Sequence, residues 1–293
     1  MSTETLKKNS PIGVSATLYA VVVWGFGNVL ANVIPLPGPE LSFIRMVMGV
    51  AMAYVLLVAT KGKLTRDGMR KSLFGGLSFA VNSAAFFTAV KYTSPNTATI
   101  IGTLQPFLLM LVSSRLFGEK VEKKAIFAGF VAIAGTTIAI FGAPKSGHDT
   151  FFGDFLAVIA LLSYAAYFIF SKQARKSVST LEYQLGLQIW ATMFLLPLAL
   201  FSHSRSVPSI ATFALVLLLA VVPGSGHFAF NWAHKHTTLV TASLLTLGTP
   251  IVTIVFSYFM LGQNVSVLQI LGTAVTIVSL SFVVISRSSV IEE

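Results

Sequence analysis

Ten apolar runs, each about as long as a bilayer is thick, follow one another along this chain with only short polar breaks between them. They fall at roughly 14–34, 41–60, 72–91, 95–117, 124–142, 153–172, 182–202, 211–233, 238–261 and 267–286. Of the 293 residues, 55% are hydrophobic and 10% charged, against roughly 25% charged in an ordinary soluble protein. A water-soluble chain of this size has no interior large enough for so much apolar surface, whereas lipid accepts it. The expected fold is an all-α integral membrane protein with ten transmembrane helices. The breaks leave no room for a separate soluble domain.

The chain has no cysteine, so disulfides, zinc-thiolate sites, iron–sulfur clusters and cysteine nucleophiles are excluded. Its formal charge of +10 is carried by Lys and Arg between the apolar runs. That pattern fits loops meeting an anionic lipid bilayer and does not call for nucleic acid. Lys7 and Lys8 precede a full-length span with no small-residue cleavage pattern, so a cleaved signal is not expected. With the N-terminus placed inside and the spans alternating, sixteen of the 20 basic residues fall inside; Lys91, Lys145 and Arg205 fall outside, and Arg45 lies within the second span. The expected location is the cytoplasmic (inner) membrane, multi-pass, with both termini cytoplasmic.

Residues 87–122 and 230–266 read alike. Lys91, Thr93, Ala98, Pro106, Gly118, Glu119 and Val121 recur as Lys235, Thr237, Ala242, Pro250, Gly262, Gln263 and Val265, at a constant offset of 144. Each half then holds five helices, residues 14–142 and 153–286, with tails at 1–13 and 287–293. An odd number of spans per half inserts the halves in opposite senses. The result is two inverted five-helix repeats around a central cavity, a plan suited to alternating access.

The order Trp24-Gly25-Phe26-Gly27-Asn28, then Pro39-Glu40-Leu41-Ser42-Phe43-Ile44-Arg45, then the Lys91-to-Glu119 hairpin and its copy from Lys235 to Gln263 resembles the drug/metabolite transporter superfamily. The resemblance is to the bacterial ten-helix branch with two EamA-type repeats, most of all to exporters of amino acids and related metabolites. It covers about residues 14–286. It implies a cavity lined by helices one, three, four, six, eight and nine, with five and ten peripheral. Gln263 departs from the family's usual Gly-Glu ending, so an ion pair made by Glu119 has no charged counterpart in the second half.

Polar side chains deep in a bilayer must face protein or water, and so mark a pathway. Trp24 and Asn28 share a face of the first helix with Asn32, and Asn82 and Phe86 share one in the third. Gly224, His227, Asn231 and His234 form a stripe on the eighth. Ser163, Tyr164 and Tyr167 lie on the sixth, and Ser243 and Thr246 on the ninth. Rings and amides in this mixture suit a small zwitterion, with no cofactor and no metal. Each of these groups also has a plain use, in interhelical bonding or packing, as Trp190 and Gln188 have in the seventh helix. Pro106 and Pro250 occupy matching places and, with Gly224, are candidate gate hinges. Arg45 is expected to snorkel outward or pair with Glu40. A stripe of small residues on the fifth helix (Ala128, Ala132, Thr136) and another on the tenth (Gly272, Thr276) permit close contact, within the bundle or in a homodimer.

No Asp or Glu lies near the centre of a span, which favours facilitated exchange or export down a gradient, or weak proton coupling through His227. The expected function is a secondary transporter exporting amino acids or related small metabolites. Export of drugs, organic cations or other metabolites is the alternative. A rival of another class is an intramembrane enzyme using Ser225 and His227, but two residues apart on a helix they point about 200° apart and cannot form a dyad.

Overall fold

The computed structural model describes residues 10–93, 100–119, 123–142, 150–201 and 209–288. Among the cations used for the orientation, Lys7, Lys8, Lys120, Lys145 and Arg205 lie outside the described residues, as do Ala98 and Val121 of the repeat register. The described residues are all helix and connecting turn. The helices are α1 (Pro11–Val33), α2 (Gly38–Ala59), α3 (Arg66–Tyr92), α4 (Gln105–Phe117), α5 (Lys123–Phe141), α6 (Phe151–Ala174), α7 (Thr180–Phe201), α8 (Ile210–Ala233), α9 (Leu239–Leu245), α10 (Thr249–Leu261) and α11 (Val267–Ser288). Among the described residues, nine segments are long and apolar enough to cross a bilayer, and Val267–Val283 supplies a shorter tenth. Two of the ten crossings are broken: a turn at 103–104 precedes α4, and a 3₁₀ turn at Thr246–Gly248 joins α9 to α10.

Helix starts follow from short polar side chains. Ser10, Thr65, Thr150, Ser209 and Thr238 each accept a hydrogen bond from the backbone N–H three residues on. α4 and α10 both end on a left-handed glycine, Gly118 at φ 65° and Gly262 at φ 64°, a conformation that disfavours any Cβ.

The two five-helix repeats interlock with opposite sense. α3 packs along α6, the first helix of the second repeat, and α8 packs along α1, the first helix of the first. At the helix starts the exchange repeats in detail. Ser10 N donates to His236 O across 2.9 Å, and Thr150 Oγ1 donates to Tyr92 O. A Cβ on Gly13 would meet His236 at 2.8 Å, and one on Gly153 would meet Tyr92 at 2.5 Å. His236 and Tyr92 stand at the repeat offset of 144. The face bearing Ser10 and His236 is called here the terminal face.

α5 and α11 form a separate peripheral pair. Ser279 Oγ donates to Ala128 O at 2.5 Å, and Thr276 Oγ1 lies 3.3 Å from Thr136 Oγ1. The small-residue stripes are therefore used inside the bundle. Around the outside, Phe127, Phe141, Phe151, Leu200, Ile210 and Phe259 are exposed, as a lipid-facing surface requires.

Candidate functional site

Between the repeats lies a cavity of about 240 Å³. Ligand pockets for drug-sized molecules run from roughly 300 to 1,000 Å³, so this one suits a smaller solute. Its walls come from α1 (Trp24, Gly27, Asn28), α3 (Phe79, Asn82, Ser83, Phe86), α6 (Ala160, Tyr164) and α8 (Leu219, Pro223, His227). The two helix breaks supply Thr103 and Gln105 on one side and Thr246, Thr249 and Pro250 on the other. The α1 and α6 walls lie away from the terminal face: at 1.5 Å per residue, residues 24–31 stand about 20–30 Å along α1 from Ser10 and residues 157–164 about 15–25 Å along α6 from Ala174. His227 and Thr246 lie deepest, about 10 Å from the terminal ends of their helices.

The glycines of α1 permit this geometry. A Cβ on Gly25 would sit 2.6 Å from Val252, and one on Gly27 would sit 2.7 Å from Pro223. α1 thus lies close against both α8 and α10. Asn28 Nδ2 donates to Thr253 Oγ1 at 3.2 Å, and Asn82 Nδ2 donates to Ala160 O at 3.0 Å. Both amides bridge helices of opposite repeats while lining the cavity.

Toward the terminal face an aromatic floor closes the cavity. Trp24 and Phe79 each lie 4.8 Å from the His227 ring, and Tyr164 stacks on Tyr167 at 5.7 Å. Below the floor is a polar plug. Asn231 donates to Gln184 Oε1 at 2.6 Å and accepts from Tyr167 at 3.1 Å and from Ser171. Ser171 Oγ is 2.9 Å from His234 Nδ1, and Arg175 Nε donates to Asn231 O at 3.1 Å. Burial, and secondarily its neighbours Lys172 and Arg175, hold His234 well below the ordinary histidine value. Burial likewise lowers Arg175 to about 10, which leaves it charged at neutral pH.

Eight of the expected residues meet at the cavity: Trp24, Asn28, Asn82, Phe86, Tyr164, His227, Thr246 and Pro250. Others do not. Tyr167 and Asn231 are fully buried in the floor and plug, because their helices carry the stripe past the cavity's depth. Ser163 and Ser243 return their hydroxyls to the carbonyls of Ile159 and Val240 on their own helices. Gly224 stands beside Met52 without forming a wall, and Pro106 is buried in the first turn of α4. As hinge candidates the two prolines do not sit inside continuous helices. Pro106 and Pro250 each begin a new helix after a break. Trp190 makes the interhelical bond expected of it, donating to Met69 O at 2.9 Å. Ser225 Oγ contacts Tyr19 and the Val222 carbonyl, with no bond to His227, so no hydrolytic dyad exists.

Arg45 overturns its sequence reading. It neither snorkels outward nor pairs with Glu40; it lines the cavity from α2 and donates to Ser83 Oγ at 3.1 Å. The signal was present in α2: Ser42, Gly49 and Ala53, all buried, recur at helical spacing on the side of the helix that Arg45 also occupies.

An all-helical chain of ten crossings, built as two inverted repeats around a cavity between them, is a secondary-transporter scaffold. The EamA-like transporter family model matches residues 11–141 and 151–285, and the chain belongs to that family, within the drug/metabolite transporter superfamily; it is a transporter and not an enzyme. It is 24% identical to an uncharacterized transporter of Archaeoglobus fulgidus, over 89% of this chain and 92% of the relative. It is 25% identical to a probable amino-acid metabolite efflux pump of Salmonella typhimurium, over 90% and 91%. It is 23% identical to the pseudopaline exporter CntI of Pseudomonas aeruginosa, over 71% and 73%. One crystal structure superposes with a TM-score of 0.85 at 16% identity, over 96% of this chain and 99% of that one, which speaks to the fold alone.

Proposed function

We propose that this chain exports amino acids or related small metabolites across the cytoplasmic membrane by alternating access, with both termini in the cytoplasm. The observation that carries the reading is the cavity's position. It lies between the repeats in one half of the bundle, while the aromatic floor and polar plug fill the other half. A transporter resting with one side sealed has this asymmetry. The repeats, residues 14–142 and 153–286, would be the units that exchange roles. Trp24, Asn28, Asn82, Phe86, Tyr164, His227 and Thr246 would hold the solute. Support for the substrate class comes from the relatives named for amino-acid metabolite efflux and pseudopaline export. The orientation rests on the distribution of Lys and Arg.

Organic cations are disfavoured. No Asp or Glu lines the cavity among the described residues, and one arginine does. The test is counterflow in proteoliposomes with amino acids, a quaternary amine and a sugar phosphate. Amino acids are expected to exchange, and movement of the quaternary amine alone would overturn the reading. With no carboxylate in the cavity wall, an imposed pH gradient is expected to leave the rate unchanged, and strong stimulation would contradict facilitated export.

A further inference from the structure

We propose that Arg45 is the anion-recognition residue of the cavity and that it selects solutes bearing a carboxylate. The inference rests on the transport reading above and adds the chemical group the site requires.

The guanidinium is half-buried in a largely apolar wall whose other polar groups are hydroxyls, amides, the ring nitrogens of Trp24 and His227 and the phenol of Tyr164. Its hydrogen-bond partner in the protein is Ser83 Oγ, and its Nε–H is shielded and has none. Phe79 and Phe87 flank it, with Cζ 5.7 and 5.8 Å from their ring centres. The ion pairs among the described residues are Lys71–Asp67 and Lys172–Glu119, so Arg45 has no carboxylate partner there. An arginine offers five N–H donors and keeps its proton, so it cannot escape this setting by neutralising. A cation held in a membrane interior without a counter-ion is costly, and such groups serve ligands.

The other unsatisfied groups in the cavity point the same way. Gln105 Nε2, which can only donate, has no protein partner, and neither has Thr249 Oγ1 or His227 Nδ1. Gln105 and Thr249 occupy equivalent places in the two repeats, each starting the helix that follows a break. The cavity therefore presents the Arg45 and Gln105 N–H groups in want of an acceptor, beside a Thr249 hydroxyl that can donate and a His227 nitrogen whose role follows its tautomer. A planar carboxylate fits a guanidinium fork with two parallel hydrogen bonds. Trp24, Phe86 and Tyr164 line the same cavity and offer aromatic surface to an amine or an apolar side chain.

The experiment uses the purified full-length chain and reads both thermal stabilisation on binding and counterflow. The probes are phenylalanine and leucine with their methyl esters, 3-phenylpropionate with its methyl ester, and glucose 6-phosphate. The acids are expected to bind about 10- to 100-fold more tightly than the esters, the range for a charge-assisted pair. That ratio should fall toward one in Arg45→Gln and be kept in part by Arg45→Lys. The comparison of acid with ester in the unaltered protein needs no variant, so a misfolded R45Q does not remove the test. Equal binding of amino acids and their esters would overturn the Arg45 assignment while leaving amino-acid export standing. Binding of 3-phenylpropionate but not of the amino acids would uphold Arg45 and sink the amino-acid reading. Preference for the sugar phosphate, or no binding of any carboxylate, would overturn the proposal.

Discussion

Lys172 Nζ lies 2.7 Å from Glu119 Oε1, and this pair joins the end of α4 in the first repeat to the end of α6 in the second. The same carboxylate accepts from the backbone of Leu239 at 2.8 Å and of Val240 at 3.3 Å, while Lys172 also donates to Thr237 O at 3.0 Å. The side chains are 12 and 6% exposed, so water screens the pair little. Replacing Glu119 by Gln strands the ammonium, and breaking such a pair typically costs about 3–5 kcal/mol. A lower melting midpoint in detergent is expected for E119Q. Adding Lys172→Met should restore part of the loss, because no charge is then left buried; a double variant worse than E119Q would argue against the ion pair as the source.

The pair ties the two repeats together at the terminal face, and a gating role for it is open to test. Its repeat equivalent, Gln263, is exposed on the opposite side. With the terminal side open, Gln263 would take Glu119's place, with a neutral amide instead of a carboxylate. The sequence asymmetry therefore favours the terminal-closed state seen here. Because the chain has no cysteine, Ser171→Cys is a clean reporter inside the plug, where Ser171 is fully buried. A maleimide should label it slowly, and severalfold faster once E119Q is added. Unchanged labelling would make the pair a structural tie with no gating role.

The ten crossings and their duplication are legible in the sequence because hydropathy is read along one dimension and the repeats share a gap-free register. The face of each helix is legible too, through the 3.6-residue period. Depth is not. The stripe Gly224, His227, Asn231, His234 spans about 15 Å along α8 at 1.5 Å per residue. Its middle lines the cavity through His227, and its lower end forms the plug. Periodicity alone puts all four at one site. For Arg45 the missing information is its face: position within the second span allows a cation either to snorkel outward or to turn toward the cavity, and only the packing of α2 selects the second.

Acid should loosen the plug through His234. Its ring faces Ser171, Phe168 and Phe230, with Lys172 and Arg175 nearby. Burial first, then those cations, hold it well below its ordinary 6.5. Between the depressed value and 6.5 the unfolded chain binds more protons than the folded one, so stability rises with pH in that window. The contribution is fully present above about pH 6.5 and is lost as pH falls toward the depressed value. The melting midpoint should be lower at pH 5.5 than at 7.5, and His234→Gln should shrink the difference. An identical pH dependence in the variant would assign the effect elsewhere.

The break at Thr246–Gly248 turns the start of α10 toward the cavity, and Pro250 keeps it from closing, since proline cannot supply the N–H that a continuous helix needs there. Pro250→Ala permits the two segments to merge, which would rotate Thr246 and Thr249 out of the wall. Counterflow is expected to drop severalfold with little loss of stability, and Pro106→Ala should act likewise through Gln105. Unaltered turnover in both would show the breaks to be static.

The peripheral pair of α5 and α11 depends on close backbone approach at its glycines, tightest at Gly272. A Cβ on Gly272 would lie 2.3 Å from Ala139 N and 2.5 Å from Gly135 O, both backbone atoms that no side-chain rotation can move. Gly272→Ala must separate the two helices, and overpacking of this kind costs about 1–3 kcal/mol. The contact lies within one chain, so the loss should appear as a lower melting midpoint that does not vary with protein concentration. Gly224→Ala is the control: its Cβ would meet Met52 Cε at an ordinary 3.6 Å, and alanine favours a helix interior over glycine. That variant should melt at or above the parent. A concentration-dependent loss in G272A would instead mean that this face also meets a second copy of the chain.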